Sequence, residues 1–330
     1  IHSTYFVGNS YPGRFKNSQV DAYYNAPVSA LSMDQNLLTL VVKPGPVAGS
    51  PAQVELSPPL DGFPLQNQVL TQGKKARILI RNRRQTPEDE LVLLRGQIPL
   101  GAEPQVFQLA QTDPVAYTTR RLVQALKKFG INCPSNPQVN STPPSSTILY
   151  ENLSIPLGQI IHEANKNSNN FVTEQVIKTL GALASGQAGT TALGIEVLKK
   201  NLKKIGIPPD EINLENGSGL SKNNRLTVQT LAKVLTQAYR DPYLQADFLS
   251  SLSVLGVDGT LKDKFFDKGL EWQFRGKTGT MSGVTSLSGF IIPNSGGKVL
   301  ALAFIANGNG PGFWKQMEFQ QKLLELLIQS

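Results

Sequence analysis

One short segment near the C-terminal end of the sequence has residue types and spacing suited to binding the charged end of a peptide. The segment is Lys277-Thr278-Gly279-Thr280, and it follows a stretch with strand character, Leu270–Phe274. The lysine supplies an ammonium and the threonine a hydroxyl, while a glycine lacks the Cβ that would hold a ligand backbone away. At the edge of a strand, this combination predicts a receptor for an extended peptide that ends in a carboxylate.

Three further segments with polar residues precede it in the chain. Ser168-Asn169-Asn170 stands before an apolar helix that is predicted to begin at Phe171. A serine hydroxyl can both accept and donate a hydrogen bond, which proton transfer requires, although a serine before a helix can also be a simple N-cap. Asn216–Ser221 and Val257–Thr260 are predicted turns, and their serines and Asp258 are typical turn residues.

In this order, the segments resemble the motifs of penicillin-binding proteins and serine β-lactamases, whose sites use Ser-x-x-Lys, Ser-x-Asn and Lys-Thr-Gly. The similarity is greater to the class C low-molecular-mass penicillin-binding proteins. In that family two such turns lie between the last two motifs, and a Gly-Phe-Ile segment follows, which here is Gly289-Phe290-Ile291. The matching pattern covers residues 107–330, and four motifs in the right order are far more specific than any one of them.

The resemblance implies a serine-type D-Ala-D-Ala carboxypeptidase that cleaves peptidoglycan stem peptides through an acyl-enzyme, and it leaves open an additional DD-endopeptidase action. It also implies binding of β-lactam antibiotics, a location in the bacterial cell envelope outside the cytoplasmic membrane, and no cofactor. Ser168 would relay a proton toward the leaving amine. Asn170 would orient the substrate backbone and the base lysine.

The Lys-Thr-Gly segment would hold the substrate in such a site. Lys277 and Thr278 would fix the terminal carboxylate, and Gly279 would admit the substrate backbone. The backbone N–H of Thr280 would form half of the oxyanion hole, where loss of one donor typically costs ~10²–10³ in rate.

The nucleophile of this chemistry is not found where the resemblance requires it. The Ser-x-x-Lys should lie well upstream of Ser168, and the one such tetrapeptide in the sequence is Ser295-Gly296-Gly297-Lys298. We predict a hairpin turn there, which lacks the helix N-terminus that would aim a nucleophilic hydroxyl. We therefore expect the chain to lack nucleophile and base, to be inactive as given, and to begin at Ile1 after loss of an N-terminal portion.

Two other interpretations remain open. The chain can be a noncatalytic peptidoglycan-binding pseudoenzyme of the same fold, or a β-lactamase relative. The class C turn motifs and a large β-rich insertion favour the peptidase over the β-lactamase. A Ser-x-x-Lys encoded upstream of Ile1 would favour the enzyme over the binding protein. The oligomeric state is not indicated by the sequence.

The predicted fold is α/β, with a penicillin-binding/β-lactamase-like transpeptidase domain, an antiparallel sheet flanked by helices, and a β-rich inserted domain. Residues 1–106 are assigned to the insertion because Pro/Gly-rich turns separate short apolar stretches there. Residues 107–330 are assigned to the peptidase domain, incomplete at its N-terminal side. Its predicted helices are 114–129, 157–163, 171–180, 193–205, 227–239 and 313–328, and its predicted strands are 272–275, 284–292 and 299–306.

Composition excludes several other classes of protein. The chain has 32 Lys+Arg against 24 Asp+Glu, a net charge of +8, and its densest basic cluster, Lys199–Lys204, lies on one predicted helix. No nucleic-acid-binding signature accompanies this charge, so we expect no nucleic-acid partner, and attraction to an acidic cell-wall polymer fits as well. A single cysteine, Cys133, and two distant histidines, His2 and His162, predict neither a disulfide framework nor a metal site.

Overall fold

The computed structural model of the protein falls into two units of contacting residues. The residues that it describes are 3–11, 22–61, 63–83, 91–134, 147–263, 271–308 and 312–329. The first unit contains residues 1–148 and 186–190, and the second contains residues 149–185 and 191–330. This division falls at a different place from the predicted boundary between residues 106 and 107, and that domain assignment stays a prediction.

Among its described residues, the first unit contains two three-stranded sheets and one α-helix. In one sheet the strand order is β2-β1-β6 with antiparallel pairing, and in the other it is β3-β5-β4, where β3 and β5 are parallel. The elements are β1 (Leu37–Lys43), β2 (Gln53–Ser57), β3 (Leu65–Thr71), β4 (Arg77–Arg83), β5 (Leu91–Ile98), β6 (Gln105–Ala110) and α1 (Pro114–Lys128).

Alternating apolar residues explain how this unit forms its core. In β1 the side chains of Leu38, Leu40 and Val42 are buried, as expected for a strand that covers the core with one face. The N-cap of helix α1 is Asp113, whose Oδ1 accepts the Ala116 N–H at 2.9 Å. Tyr117 of the same helix packs into that core. The predicted β-rich character of the first hundred residues is therefore observed.

The second unit holds an antiparallel sheet and six helices among its described residues. The strand order is β10-β9-β8-β7. The strands are β7 (Ser253–Val254), β8 (Trp272–Met281), β9 (Val284–Pro293) and β10 (Leu300–Asn307). The helices are α2 (Leu157–Lys166), α3 (Asn170–Ser185), α4 (Thr191–Lys204), α5 (Val228–Arg240), α6 (Gln245–Ser251) and α7 (Gly312–Gln329).

Both faces of this sheet are covered by helices. On β9, Ile291 packs with Leu324 of α7, whereas the adjacent Phe290 packs with Leu235 of α5. Because successive side chains of a strand point to opposite faces, α5 and α7 lie on opposite sides of the sheet. The predicted arrangement of an antiparallel sheet flanked by helices is confirmed.

The structure also extends the predicted elements. Strand β8 continues through Lys277 to Met281, beyond the predicted end at residue 275. Helix α6 and the two-residue strand β7 were not predicted, because each is too short for a clear periodic pattern. Among the described residues, every helix is too short or too polar to cross a lipid bilayer.

Candidate functional site

The exposed margin of β8 provides the platform of the candidate site. Strand β7 pairs with β8 only at Arg275 and Gly276, so residues 277–281 have no strand partner on that side within the described part of the chain. The close approach of β8 and β9 depends on small residues, because a Cβ on Gly276 would lie 2.8 Å from the Ser288 carbonyl oxygen. Lys277 therefore follows a segment of β8 that is paired on both sides, and it is the first residue of the part of β8 that is paired on one side only.

Lys277 and Ser168 are brought into direct contact across 109 residues of sequence. The Lys277 ammonium donates to Ser168 Oγ at 2.7 Å and to the Thr278 carbonyl oxygen at 2.8 Å. Burial lowers the pKa of Lys277 to about 8, because desolvation disfavours the charged form. The two segments that the resemblance assigns to one site are therefore in contact.

The backbone of Ser168 adopts an uncommon conformation that helix α2 imposes. Its φ is +53°, in the left-handed region where glycine is preferred. The Asn169 N–H donates to the Ala164 carbonyl at 2.9 Å and the Ser168 N–H to that of Asn165 at 3.4 Å, which is a Schellman end of α2. The left-handed conformation of a serine costs about 1–2 kcal/mol relative to the right-handed one. Local stability therefore does not explain why a serine stands at this position.

The N-cap of helix α3 is Asn169 and not Ser168. The Val172 N–H donates to Asn169 Oδ1 at 3.2 Å, and α3 begins with Asn170. The alternative interpretation of Ser168 as a simple N-cap is therefore wrong. Ser168 belongs to the left-handed end of α2 and precedes the N-cap of α3 by one residue. Asn170, the third residue of the motif, is half-buried in the first turn of α3.

The remaining residues of the Lys-Thr-Gly segment line the same strand. The Thr278 hydroxyl donates to Thr260 Oγ1 at 2.8 Å, and Thr280 is exposed opposite Thr285 of β9. A Cβ on Gly279 would meet only the side chain of Ser286, so the fold itself makes little demand for glycine there. Among the described residues, Ser286 alone therefore restricts the side-chain position of Gly279.

The turn that contains Asn216 packs against α3 through a buried carboxylate. Glu174 is 1% exposed, and its Oε1 accepts the Ser218 N–H at 2.7 Å. Burial raises the pKa of Glu174, although the hydrogen bonds from the turn oppose that rise. Within the turn, Asn216 Oδ1 accepts the Gly219 N–H at 3.2 Å, which confirms that the segment is a turn.

Comparison of the sequence with known protein families identifies the family of the chain. The model of the D-Ala-D-Ala carboxypeptidase 3 (S13) family matches residues 2–326 of the chain. The chain belongs to this family. Among the family's motifs, Ser-x-x-Lys occurs once in the sequence, at Ser295–Lys298, and the structure places Ser295 and Lys298 in the connection between β9 and β10. The predicted hairpin turn is confirmed.

Individual relatives are consistent with the assignment to the S13 family. The chain is 29% identical over 304 residues to the D-alanyl-D-alanine carboxypeptidase of Actinomadura sp., and the match covers 87% of this chain and 55% of that protein. Thus the chain spans about half the length of this curated relative.

Two solved structures share the fold. Penicillin binding protein 4 from Haemophilus influenzae superposes with a TM-score of 0.76 at 19% identity, covering 98% of this chain and 73% of that one. The same protein complexed with a β-lactam gives a TM-score of 0.71 at 22% identity, covering 92% and 71%. The predicted penicillin-binding/β-lactamase-like fold is therefore confirmed.

One ion pair beside the candidate site was not anticipated from the sequence. Lys166 Nζ lies 2.6 Å from Asp258 Oδ2, and Asp258 Oδ1 accepts the Val254 N–H at 2.7 Å. Burial acts to raise the pKa of Asp258, but the hydrogen bonds from Lys166 and Val254 and the charges of Lys166 and Arg275 outweigh it and lower that pKa. The sequence signals were that Asp258 belongs to the predicted turn Val257–Thr260 and that Lys166 stands two residues before Ser168. A distance of 92 residues separates the two in sequence.

Proposed function

We propose that this chain provides the substrate-binding and proton-relay groups of a serine-type D-Ala-D-Ala carboxypeptidase of the S13 family. The substrates would be peptidoglycan stem peptides, and the same groups would bind β-lactam antibiotics. The single observation that carries the proposal is the 2.7 Å contact between Lys277 Nζ and Ser168 Oγ beside the open edge of β8. It joins the two motifs at one place where an extended peptide can lie.

Carboxylate recognition follows from the position of Lys277. A half-buried ammonium makes stronger charge-assisted hydrogen bonds than one in bulk water, because the surrounding dielectric is lower. The open edge of β8 offers backbone groups to an extended peptide, as in β-strand addition. Thr278 would add its hydroxyl, and Gly279 would leave room for the terminal residues of the ligand.

Proton transfer is the task that suits Ser168. Because the Lys277 ammonium donates to its oxygen, the Ser168 hydroxyl hydrogen points elsewhere and can be donated to a leaving amine. Replacement of that proton through the adjacent lysine is favoured by a lysine pKa of about 8, near neutral pH. Asn170 would orient the substrate backbone from the start of α3.

An acyl-enzyme also needs a nucleophile and an oxyanion hole. The backbone N–H of Thr280 is the proposed donor to the oxyanion, with the N–H of the nucleophilic serine as its partner. Ser295 is not a candidate nucleophile, because it lies in the exposed β9–β10 turn. We assign neither the nucleophile nor its base lysine to a residue of this chain.

A noncatalytic peptidoglycan-binding protein is the second candidate function. The observation that favours it is the position of the only Ser-x-x-Lys, Ser295–Lys298, in a hairpin turn. Both candidates predict binding of a peptide with a free terminal carboxylate, and both are consistent with an extracytoplasmic location at the cell wall. They differ in whether the protein forms a covalent adduct.

The binding part of the proposal is tested with a short stem-peptide analogue. We expect diacetyl-L-Lys-D-Ala-D-Ala to bind the chain more tightly than its C-terminal amide in a calorimetric or NMR titration. Lys277→Ala should weaken binding of the free acid about 10- to 100-fold, because a hydrogen bond to a charged group contributes about 1.5–3 kcal/mol.

Lys298→Ala is the matched control, since Lys298 is an exposed lysine in the β9–β10 connection. It should leave the affinity unchanged. Equal affinity for acid and amide, or equal losses from the two lysine variants, would remove Lys277 from the carboxylate site.

A further inference from the structure

The Lys166–Asp258 ion pair joins the two segments that carry the candidate site. Lys166 is the last residue of α2 and precedes Ser168 by two positions. Asp258 precedes Thr260 by two positions, and Thr260 is the residue whose hydroxyl contacts that of Thr278. One ion pair at 2.6 Å therefore links the serine side of the site to the Lys-Thr-Gly side.

The environment of the pair indicates a fixed geometry. The Lys166 side chain is 10% exposed and that of Asp258 is 42% exposed. A nearly buried ammonium needs a partner, because its desolvation is otherwise uncompensated. The guanidinium of Arg275 adds positive charge near Asp258, but it donates to Gln273 Oε1 at 2.7 Å and to the Leu249 carbonyl oxygen at 3.3 Å.

Neighbouring contacts also hold the end of α2 in place. Asn165 Nδ2 donates to Ser251 Oγ at 2.8 Å, next to the ion pair. Gly259 has a φ of +57°, and a Cβ there would lie 2.9 Å from the Lys166 carbonyl oxygen. The turn that precedes Thr260 thus fits against the end of α2 with no room for a side chain at Gly259.

The strained conformation of Ser168 indicates what the Lys166–Asp258 ion pair does. A non-glycine residue in the left-handed region persists only where its surroundings over-determine it. The last turn of α2 imposes that conformation, and the ion pair anchors that turn. If the anchor were released, the backbone at Ser168 could relax and move its hydroxyl away from Lys277.

We propose that Lys166 and Asp258 are positioning residues, which hold Ser168 within hydrogen-bond distance of Lys277 and hold Thr260 against Thr278. Neither residue is assigned a contact with the substrate. The inference rests on the proposed function only in taking the Ser168–Lys277 pair as the functional one.

The first test measures the Lys277 ammonium directly. In a chain with ¹³C-labelled lysine, the Lys277 signal is assigned by its loss in Lys277→Arg and titrated with pH. Asp258→Asn removes the charge with little change in shape, and we expect the pKa of Lys277 to rise from about 8 toward 10.5 as the loosened site admits water. Lys166→Met should have the same effect, and Lys166→Arg should restore part of the original value.

The second test separates positioning from general stability. If the pair acts through Ser168, the rise in the Lys277 pKa caused by Asp258→Asn should shrink in a Ser168→Ala background. A rise of equal size in both backgrounds overturns the proposal, as does an unchanged Lys277 pKa in Asp258→Asn and Lys166→Met proteins that remain folded. Thr260→Val is a milder change on the Thr278 side, and it tests the same linkage if Asp258→Asn does not fold.

The third test concerns ligand binding. Affinity for diacetyl-L-Lys-D-Ala-D-Ala should fall about tenfold in Asp258→Asn, because small displacements of binding groups are costly. Lys43→Met is the control, since it breaks the exposed Lys43–Glu55 pair at 2.9 Å in the first unit; an equal loss in that variant contradicts the proposal. If the wild-type chain binds no peptide, the proposed function fails, while the Lys277 titration still decides the role of the ion pair.

Discussion

Two serine-containing turns of the second unit differ in which residue takes the unusual backbone conformation. At the end of α2, Ser168 itself has a φ of +53°. In the β9–β10 turn, Gly296 and Gly297 have φ values of +81° and +127°, and Ser295 is not among the residues with positive φ. Glycine adopts such angles without strain, so the residues of the β9–β10 turn are explained by the geometry of the turn alone. The first turn retains a strained serine whose hydroxyl contacts Lys277, and this difference supports the proposal that Ser168 is a functional residue.

The largest expected effect concerns covalent labelling. We predict that the 330-residue chain forms no covalent adduct with fluorescent penicillin, because the one Ser-x-x-Lys serine lies in a turn without a helix N-terminus. Gel fluorescence of the denatured protein checks this. If the chain is labelled and the label disappears in Ser295→Ala, the β9–β10 turn and not the end of α2 carries the reactive serine.

The pH dependence of binding should distinguish Lys277 from Lys298. The Lys277 ammonium is present below about pH 8 and is lost as the pH rises through that value. Affinity for the free-acid peptide should therefore fall above pH 8, approaching about tenfold per pH unit. Titrations at several pH values measure it. Lys277→Arg should flatten the profile, because a guanidinium stays charged, and Lys298→Arg should leave it as in the wild type.

Two glycine substitutions should have opposite effects. Gly279→Ala should weaken peptide binding about tenfold with little loss of stability, because the new Cβ meets only the movable Ser286 side chain within the protein. Gly296→Ala should leave binding intact and cost about 1 kcal/mol of unfolding free energy, because its φ is positive. Calorimetric titration and urea unfolding give the two quantities.

The Gly279→Ala result has its own control. The double variant Gly279→Ala/Ser286→Ala removes the internal contact and keeps the Cβ on the ligand side. If binding returns to the wild-type affinity in the double variant, the glycine serves the protein and not the ligand.

The smallest expected effect is on stability at Ser168. Ser168→Gly should raise the free energy of unfolding by about 0.5–1 kcal/mol, because relief of left-handed strain exceeds the entropic cost of glycine. Peptide affinity and the Lys277 pKa should change at the same time. Ser295→Gly should not stabilise the protein in the same urea titration; stabilisation of both or of neither would show that strain does not separate the two turns.

Much of the site could be predicted from the order of its motifs. Lys277 and Ser168 were expected to share a site because the order of the motifs resembles that of the penicillin-binding proteins. The length of β8 was underestimated because Lys277-Thr278-Gly279-Thr280 has no apolar alternation. The assigned roles of Ser168, Asn170, Lys277, Thr278, Gly279 and Thr280 stay predictions, since contacts alone do not establish catalysis.

Other features depend on tertiary structure and left little trace in the sequence. The pairing of Asp258 with Lys166 depends on how α2 packs against the turn after β7, and the sequence indicates it only through the position of each residue in or beside a motif. The N-cap at Asn169 was missed by one residue, since serine and asparagine cap equally well and only the left-handed backbone of Ser168 excludes it. Strand β3 shows no clear alternation in the sequence, because Gln66, Asn67 and Gln68 interrupt its apolar residues.

The depressed pKa of Lys277 has a practical consequence for chemical probes of this protein. At pH 7 roughly one tenth of such a lysine is the neutral, nucleophilic amine, against about one part in several thousand for an ordinary lysine. An amine-directed electrophile carried on a D-alanine-like scaffold should therefore modify Lys277 ahead of the exposed lysines of α4. Inhibitors designed in this way would not depend on a serine nucleophile.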